Sequence, residues 1–200
     1  VGKTPLGAEI ERRGLSGRRV VHLDFGALLR SIAADPKVPY GLTAEEVGAV
    51  RASLASGSLF EDRDLPMIVR IIEGFVADRA VGAGDRLVLN GLPRHPRQAE
   101  GLAGLVSVEE VIVLEAEEAV IRERMRIDPD GDRSGREDGS PEAVSRRLAD
   151  YQIRTLPLAD HFRRLGVPVH VIGVTATTTA GETYERLASV LGGRGTDISG

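Results

Sequence analysis

Two hundred residues, 42% hydrophobic and 28% charged, suit one soluble domain with its own core. The net charge of −4 argues against a nonspecific nucleic-acid binder, and no apolar run nears the roughly 20 residues needed to cross a membrane. Cysteine is absent, which rules out disulfides and thiol chemistry and fits a reducing cytoplasm.

The chain opens VGKTPLG, and Gly2, Lys3 and Thr4 are the last three letters of the phosphate-binding pattern Gly-x-x-x-x-Gly-Lys-[Ser/Thr]. The first glycine of that pattern and its leading strand are missing, and position 1 is not Met, so a strand is expected just ahead of Val1. Only Lys3 and Lys37 are lysines among 26 Lys and Arg residues. Against that arginine-rich background a lysine directly after Gly2 is informative, because a phosphate loop needs a slender point charge that a planar guanidinium replaces poorly.

A helix is expected over 3–14, then a strand over 19–24 and a helix over 26–35. Thr43 and Glu46 form a capping box for a helix over 43–57, and another helix covers 64–80. Strand 86–90 runs into Gly91, Pro93, Arg94 and Gln98, and strand 110–115 into a helix over 117–126. A polar, glycine-rich stretch over 127–141 follows, then a long helix over 140–166 opened by Ser140 and Pro141, a strand over 167–173 and a helix over 181–193. Gly14, Gly57 and Gly166 sit at helix ends, and the last residues read as a loose tail. Short apolar runs alternating with helical patterns predict an α/β sandwich around a parallel sheet, whose ligands sit at the carboxyl ends of the strands.

Arginines gather at those strand ends. Arg30 lies one helical turn past Gly26, Arg94 follows a stiff turn, Arg124, Arg126 and Arg147 flank the glycine-rich stretch, and Arg136 lies within it. Phosphoryl transfer between two nucleotides is mostly positioning plus cations, and guanidinium forks suit phosphate oxygens. A closing lid over 127–141 would exclude water and so prevent hydrolysis of the donor. Ion pairs on the sheet rim and solvated helix faces are the competing readings for these arginines, and Gln98 also reads as an exposed helix residue. Asp128, Asp130 and Asp132 alternate, but Arg133 and Gly139 stand where a calcium loop requires Gly and Glu.

Taken in order, these residues resemble the adenylate kinase-like nucleoside monophosphate kinases, a P-loop family. GKT matches the family's phosphate-loop end, FGALLR its Gly-x-x-x-x-Arg element, GSLFED the turn of its monophosphate-binding arm, and GLPRHPRQAE its strongest signature. GRED resembles the far edge of the lid, and RRLADYQIRTLPLADHF the long helix after it.

The resemblance implies a three-layer sandwich with a five-strand parallel sheet, its first strand missing from this sequence. It implies a core of 1–24, 86–126 and 142–192, a monophosphate arm of 25–80 and a short lid of 127–141. It implies ATP as donor with Mg²⁺, AMP as acceptor, no nucleic-acid or membrane partner, a monomer and a cytoplasmic location. Gly2, Lys3 and Thr4 with Arg124 or Arg126 would hold ATP. Phe25, Gly26, Arg30, Phe60, Gly91, Arg94 and Gln98 would hold the acceptor, and Arg136 and Arg147 the moving phosphoryl group. Lys3, Arg124, Arg136 and Arg147 would be catalytic.

Departures fall around the metal: Ala27 and Asn90 stand where the family usually has carboxylates. Asp24, ending the neighbouring strand, is the expected replacement facing the same ion, with Thr4 as its ligand. Phe25 replaces a smaller residue near the acceptor base. A UMP/CMP kinase and a nucleotide-binding module of impaired activity are the alternative readings. A zinc-bound lid is excluded by the lack of cysteine.

Overall fold

A computed structural model describes residues 2–129, 131, 145, 148, 149 and 151–192. Strand β1 (Val20–Asp24) pairs in parallel with β2 (Arg86–Asn90), and β3 (Val111–Glu115) pairs in parallel with β4 (Val169–Gly173). The expected five-strand sheet is not what the described residues form; their four strands stand as two parallel pairs. Strand β4 also begins later than expected, at Val169, because Pro168 has no N–H for a ladder. The Pro168 carbonyl still accepts from the Val111 N–H at 2.9 Å.

One apolar layer spans both pairs. Leu6 and Ile10 of α1 (Lys3–Arg13) and Tyr184 and Leu187 of α8 (Ala180–Gly192) pack with Val20, Val88, Ile112, Leu114 and Ile172, so every strand contributes. Successive strand residues face opposite ways. Val21 and Leu23 therefore point into the second layer, formed by α2 (Phe25–Ala34), α3 (Ala44–Ser56) and α4 (Leu65–Asp78). Ile68, Ile71 and Ile72 of α4 are fully enclosed there, each worth about 1.5–3 kcal/mol of burial. The capping box at α3 forms in full: the Thr43 N–H donates to Glu46 Oε2 at 2.8 Å and the Glu46 N–H to Thr43 Oγ1 at 3.1 Å.

His22 faces α1, where Gly7 makes room for its ring. A Cβ at position 7 would lie 2.2 Å from His22 Nε2, an atom that is buried with no hydrogen-bond partner. Burial is the leading cause that lowers the imidazole pKa, outweighing the attraction of Asp24 and Glu11. The unfolded chain thus takes up this proton first, and stability falls as pH drops below the ordinary 6.5. Gly7→Ala is expected to cost about 1–3 kcal/mol in urea denaturation through overpacking. The same change in a His22→Ala background should cost much less; an equal cost in both backgrounds refutes the contact.

Two helical segments add detail to the expected elements. A short helix, α5 (Pro96–Leu102), starts right after the Gly91–Arg94 turn, capped by His95, whose Nδ1 accepts from the Gln98 N–H at 3.3 Å. After α6 (Glu118–Ile127), the helix expected over 140–166 is helical at its described residues up to Arg164, but it changes type along the way. Residues Tyr151–Thr155 take π-helical turns before α7 (Leu156–Arg164). Pro157 gives the reason: its ring clashes with the carbonyl four residues back, at Ile153, so the helix widens there. The start at Ser140–Pro141 and the tail beyond 192 lie outside the described residues.

Candidate active site

The register that pairs β1 with β2 sets Asp24 directly beside Asn90 at the carboxyl ends of the strands. The first turn of α1 arrives at the same point. Thr4 Oγ1 donates to Asp24 Oδ2 at 2.5 Å, and Asn90 Nδ2 donates to Thr4 Oγ1 at 3.1 Å and to Asp24 Oδ2 at 3.2 Å. Asp24 Oδ1 accepts from the Ala27 N–H at 2.9 Å, so the same carboxylate caps α2. Burial pushes the Asp24 carboxyl up, but the Thr4 hydroxyl and the Ala27 amide, helped by His22 and Arg30, together hold it below its ordinary value. It stays anionic at neutral pH.

A hydroxyl and a carboxylate side by side, with no soft ligand, suit a hard cation such as Mg²⁺. That ion typically takes one or two carboxylates and completes its shell with phosphates and water. Among the described residues no cluster of three or more His, Cys, Asp or Glu stands ready to cage a metal alone. The donor set fits an ion that comes with a phosphate ligand.

Gly2 adopts φ 66° before Lys3, the first residue of α1. That left-handed conformation favours glycine, and a Cβ there would lie 3.2 Å from Arg124 Nη2. Arg124 is 7% exposed, and its Nη1 donates to the carbonyls of Thr175 at 2.8 Å and Thr178 at 2.7 Å. The guanidinium thus bridges the start of α1 and the loop after β4. Arg126, two residues on, is largely exposed and forms a two-nitrogen pair with Glu123 at 2.9 and 2.7 Å on its own helix. Of the two candidates, Arg124 is the one the fold brings to Gly2.

The Thr175–Thr178 loop holds none of the residues expected from the sequence. Applying the same strand-end rule after Gly173, where Thr175, Thr177, Thr178 and Thr179 cluster, would have found it.

On the other side of Asp24 lie the residues expected to hold an acceptor. Arg30 is exposed and its Nη1 would lie 3.6 Å from a Cβ at Gly26, so its guanidinium turns back toward the start of α2. Gly91 has φ 92°, and a Cβ there would meet Phe25 Cβ at 3.5 Å and the Gly26 nitrogen at 3.9 Å. The Leu92–Pro93 peptide is cis. These close approaches bring the Arg94 loop against the start of α2.

Gln98 is 2% exposed, not a solvated helix residue. Its Oε1 accepts from the Arg94 N–H at 2.7 Å, which fixes the loop. Phe25 and Phe60 are buried and meet edge to face with centroids 6.2 Å apart. The ring of Phe25 is thereby tied into the core beside Gly26. Arg136, Arg147 and most of the expected lid, including GRED, lie outside the described residues.

No protein-family model matches the chain. It is similar to curated proteins named adenylate kinase. The chain is 31% identical over 179 residues to the one from Xylella fastidiosa strain M12, with 87% of each chain covered. It is 30% identical over 179 residues to that of Xanthomonas campestris pv. campestris strain 8004, again with 87% of each covered. Against that of Xanthomonas oryzae pv. oryzae strain MAFF 311018 the figure is 30% over 178 residues and 86% of each.

Proposed function

This chain belongs to the adenylate kinase family, and from that premise we propose that it moves the γ-phosphoryl group of ATP onto AMP. At the family level it is an ATP-dependent phosphotransferase acting on a nucleoside monophosphate. The observation that best supports the finer reading is the meeting of Thr4, Asp24 and Asn90 beside Lys3, with Arg124 against Gly2 on one side and Arg30 and the Arg94 loop on the other. A phosphate site with cations on both flanks suits two anionic substrates placed end to end.

In this reading the N–H groups at the start of α1 and the Lys3 ammonium cradle the donor phosphates. Thr4 and Asp24 would hold Mg²⁺, which when bound screens charge between donor oxygens. Arg30 and Arg94 hold the acceptor phosphate, with Gly91 letting backbone come close. Phe25, Phe60 and Gln98 wall the acceptor base. Arg136 and Arg147 are assigned to the moving phosphoryl group, whose charge spreads over three oxygens in the transition state. Transfer is direct and in line, with no phosphoenzyme.

Residues 25–80 serve as the monophosphate arm, 127–141 as a lid that excludes water, and 1–24, 86–126 and 142–192 as the core. The proposed sheet has five strands, with one more lying between β2 and β3. The half-exposed apolar side chains of both strands, Leu87, Val88, Ile112 and Leu114 among them, support that place for it. No described helix is long and apolar enough to cross a membrane. A cytoplasmic monomer with small nucleotides as its partners completes the proposal.

A coupled assay with ATP, Mg²⁺ and AMP, UMP or CMP in turn tests this. ADP formation fastest with AMP is the expected result. Preference for UMP or CMP overturns the acceptor assignment, and nucleotide binding without turnover on any acceptor overturns catalysis.

A further inference from the structure

Arg154 and Thr155 carry none of the roles assigned above, yet both reach the residues assigned to the acceptor. Arg154 Nη1 and Nη2 donate to the two oxygens of Glu61, each at 3.0 Å, across 93 residues of sequence. Glu61 follows Phe60 and precedes the 3₁₀ turn Asp62–Asp64, in the turn between α3 and α4 that forms the tip of the proposed arm. The Arg154 guanidinium is the leading cause that holds the Glu61 carboxyl below its usual range. Next in the chain, Thr155 Oγ1 donates to the carbonyl of Arg94 at 3.1 Å. The Arg94 N–H is already held by Gln98.

Adjacent side chains on an ordinary α-helix point about 100° apart. At the end of the π-helical turn, Arg154 reaches the arm tip and Thr155 the Arg94 loop. A second ion pair, Arg97 to Asp62 at 2.7 Å, ties the same tip to α5.

We propose that Arg154 and Thr155 are positioning residues for the acceptor: they hold the arm tip and the Arg94 loop at a fixed spacing and have no part in holding ATP. The inference rests on the kinase reading above, since it concerns the two walls assigned to the monophosphate. An exposed ion pair is too weak to decide whether the chain folds. Its two-nitrogen geometry instead fixes where the arm tip sits. A wall held in place before the acceptor arrives lowers the ordering cost of binding. The effect should appear in acceptor KM and be absent from ATP KM.

The test uses Arg154→Gln, Glu61→Gln, their combination, and the exchanged pair Glu61→Arg with Arg154→Glu. Each single variant is expected to raise acceptor KM about three- to fivefold with ATP KM unchanged. The combination should cost no more than either single change, and the exchanged pair should recover part of the loss. Thr155→Val should raise acceptor KM as well, and Thr155→Ser should restore it. Additive single effects, or equal rises in both KM values, overturn the proposal, as does an unchanged acceptor KM.

Amide hydrogen exchange in 57–64 and 91–98 gives a readout independent of turnover. Arg154→Gln should speed exchange in 57–64, Thr155→Val in 91–98, and unchanged protection in both overturns the clamp. An unaltered chain that turns over no monophosphate defeats the kinase reading instead, and the exchange result still decides whether these residues hold the two walls.

Discussion

Replacing Lys3 by methionine is expected to lower turnover by about 10²–10³-fold, the range seen when one preorganised charge at a reacting group is lost. The geometry supports so large an expected effect from one exposed side chain. Gly2 at φ 66° turns the chain into α1, so Lys3 stands at the helix start, where the first-turn N–H groups and the dipole favour an anion. Its ammonium is the single lysine in that region, and the only other lysine is Lys37. The apolar face of α1 is carried by Leu6 and Ile10, so the substitution leaves the packing intact and Tm should hold. Lys3→Arg is expected to rescue little. A planar fork is wider than an ammonium, and Arg124 already lies against Gly2, within 3.2 Å of where a Cβ would be. Steady-state kinetics with ATP and AMP measure the effect. Turnover retained in Lys3→Met would remove Lys3 from the mechanism.

The parts of this molecule that were legible in the sequence are those written locally. Strand β2 reads directly from the run Arg86–Asn90, and the cap of α3 from Thr43 and Glu46. Gly14, Gly57 and Gly166 end helices with φ of 75°, 72° and 76°, as their lack of a side chain suggested. What escaped depends on contacts between distant segments. Asn90 looked like a lost acid, yet its amide ties Thr4 to Asp24 across 86 and 66 residues. Gln98 left two readings open, a place beside the acceptor base or an exposed helix face, and only the folded Arg94 loop removes the second by burying it. Two arginines two residues apart are equivalent on paper, whereas Arg124 turns inward to the Thr175–Thr178 carbonyls and Arg126 outward to Glu123. The widened turn before α7 was foreseeable from Pro157, but its contacts with Glu61 and Arg94 were not, because no local pattern encodes a partner 93 or 61 residues away.

Asp24→Asn is the sharper experiment on the metal. Asparagine caps a helix about as well as aspartate, so Oδ1 can keep accepting from Ala27 and α2 should stay in place. What disappears is the charge beside Thr4. Because the folded chain holds the Asp24 carboxyl below its ordinary 3.8, the unsubstituted protein carries that charge throughout the neutral range and loses it only in acid. The variant is expected to lose about 10–100-fold in Mg²⁺-dependent turnover, the usual penalty for removing a group that supports a metal shell. It should also need more Mg²⁺ for half-maximal rate. Calorimetric titration of Mn²⁺ into the protein with ADP should show weaker binding, a readout that needs no catalysis. Asp24 and Asn90 are partners in the β1–β2 register, so Asn90→Asp in the Asp24→Asn background moves the charge across one strand and should restore part of the affinity. This claim turns on one carboxylate, standing where its strand ends, taking over from the two acids that Ala27 and Asn90 displace. Full Mg²⁺-dependent activity in Asp24→Asn, with Mn²⁺ binding unaltered, would end it.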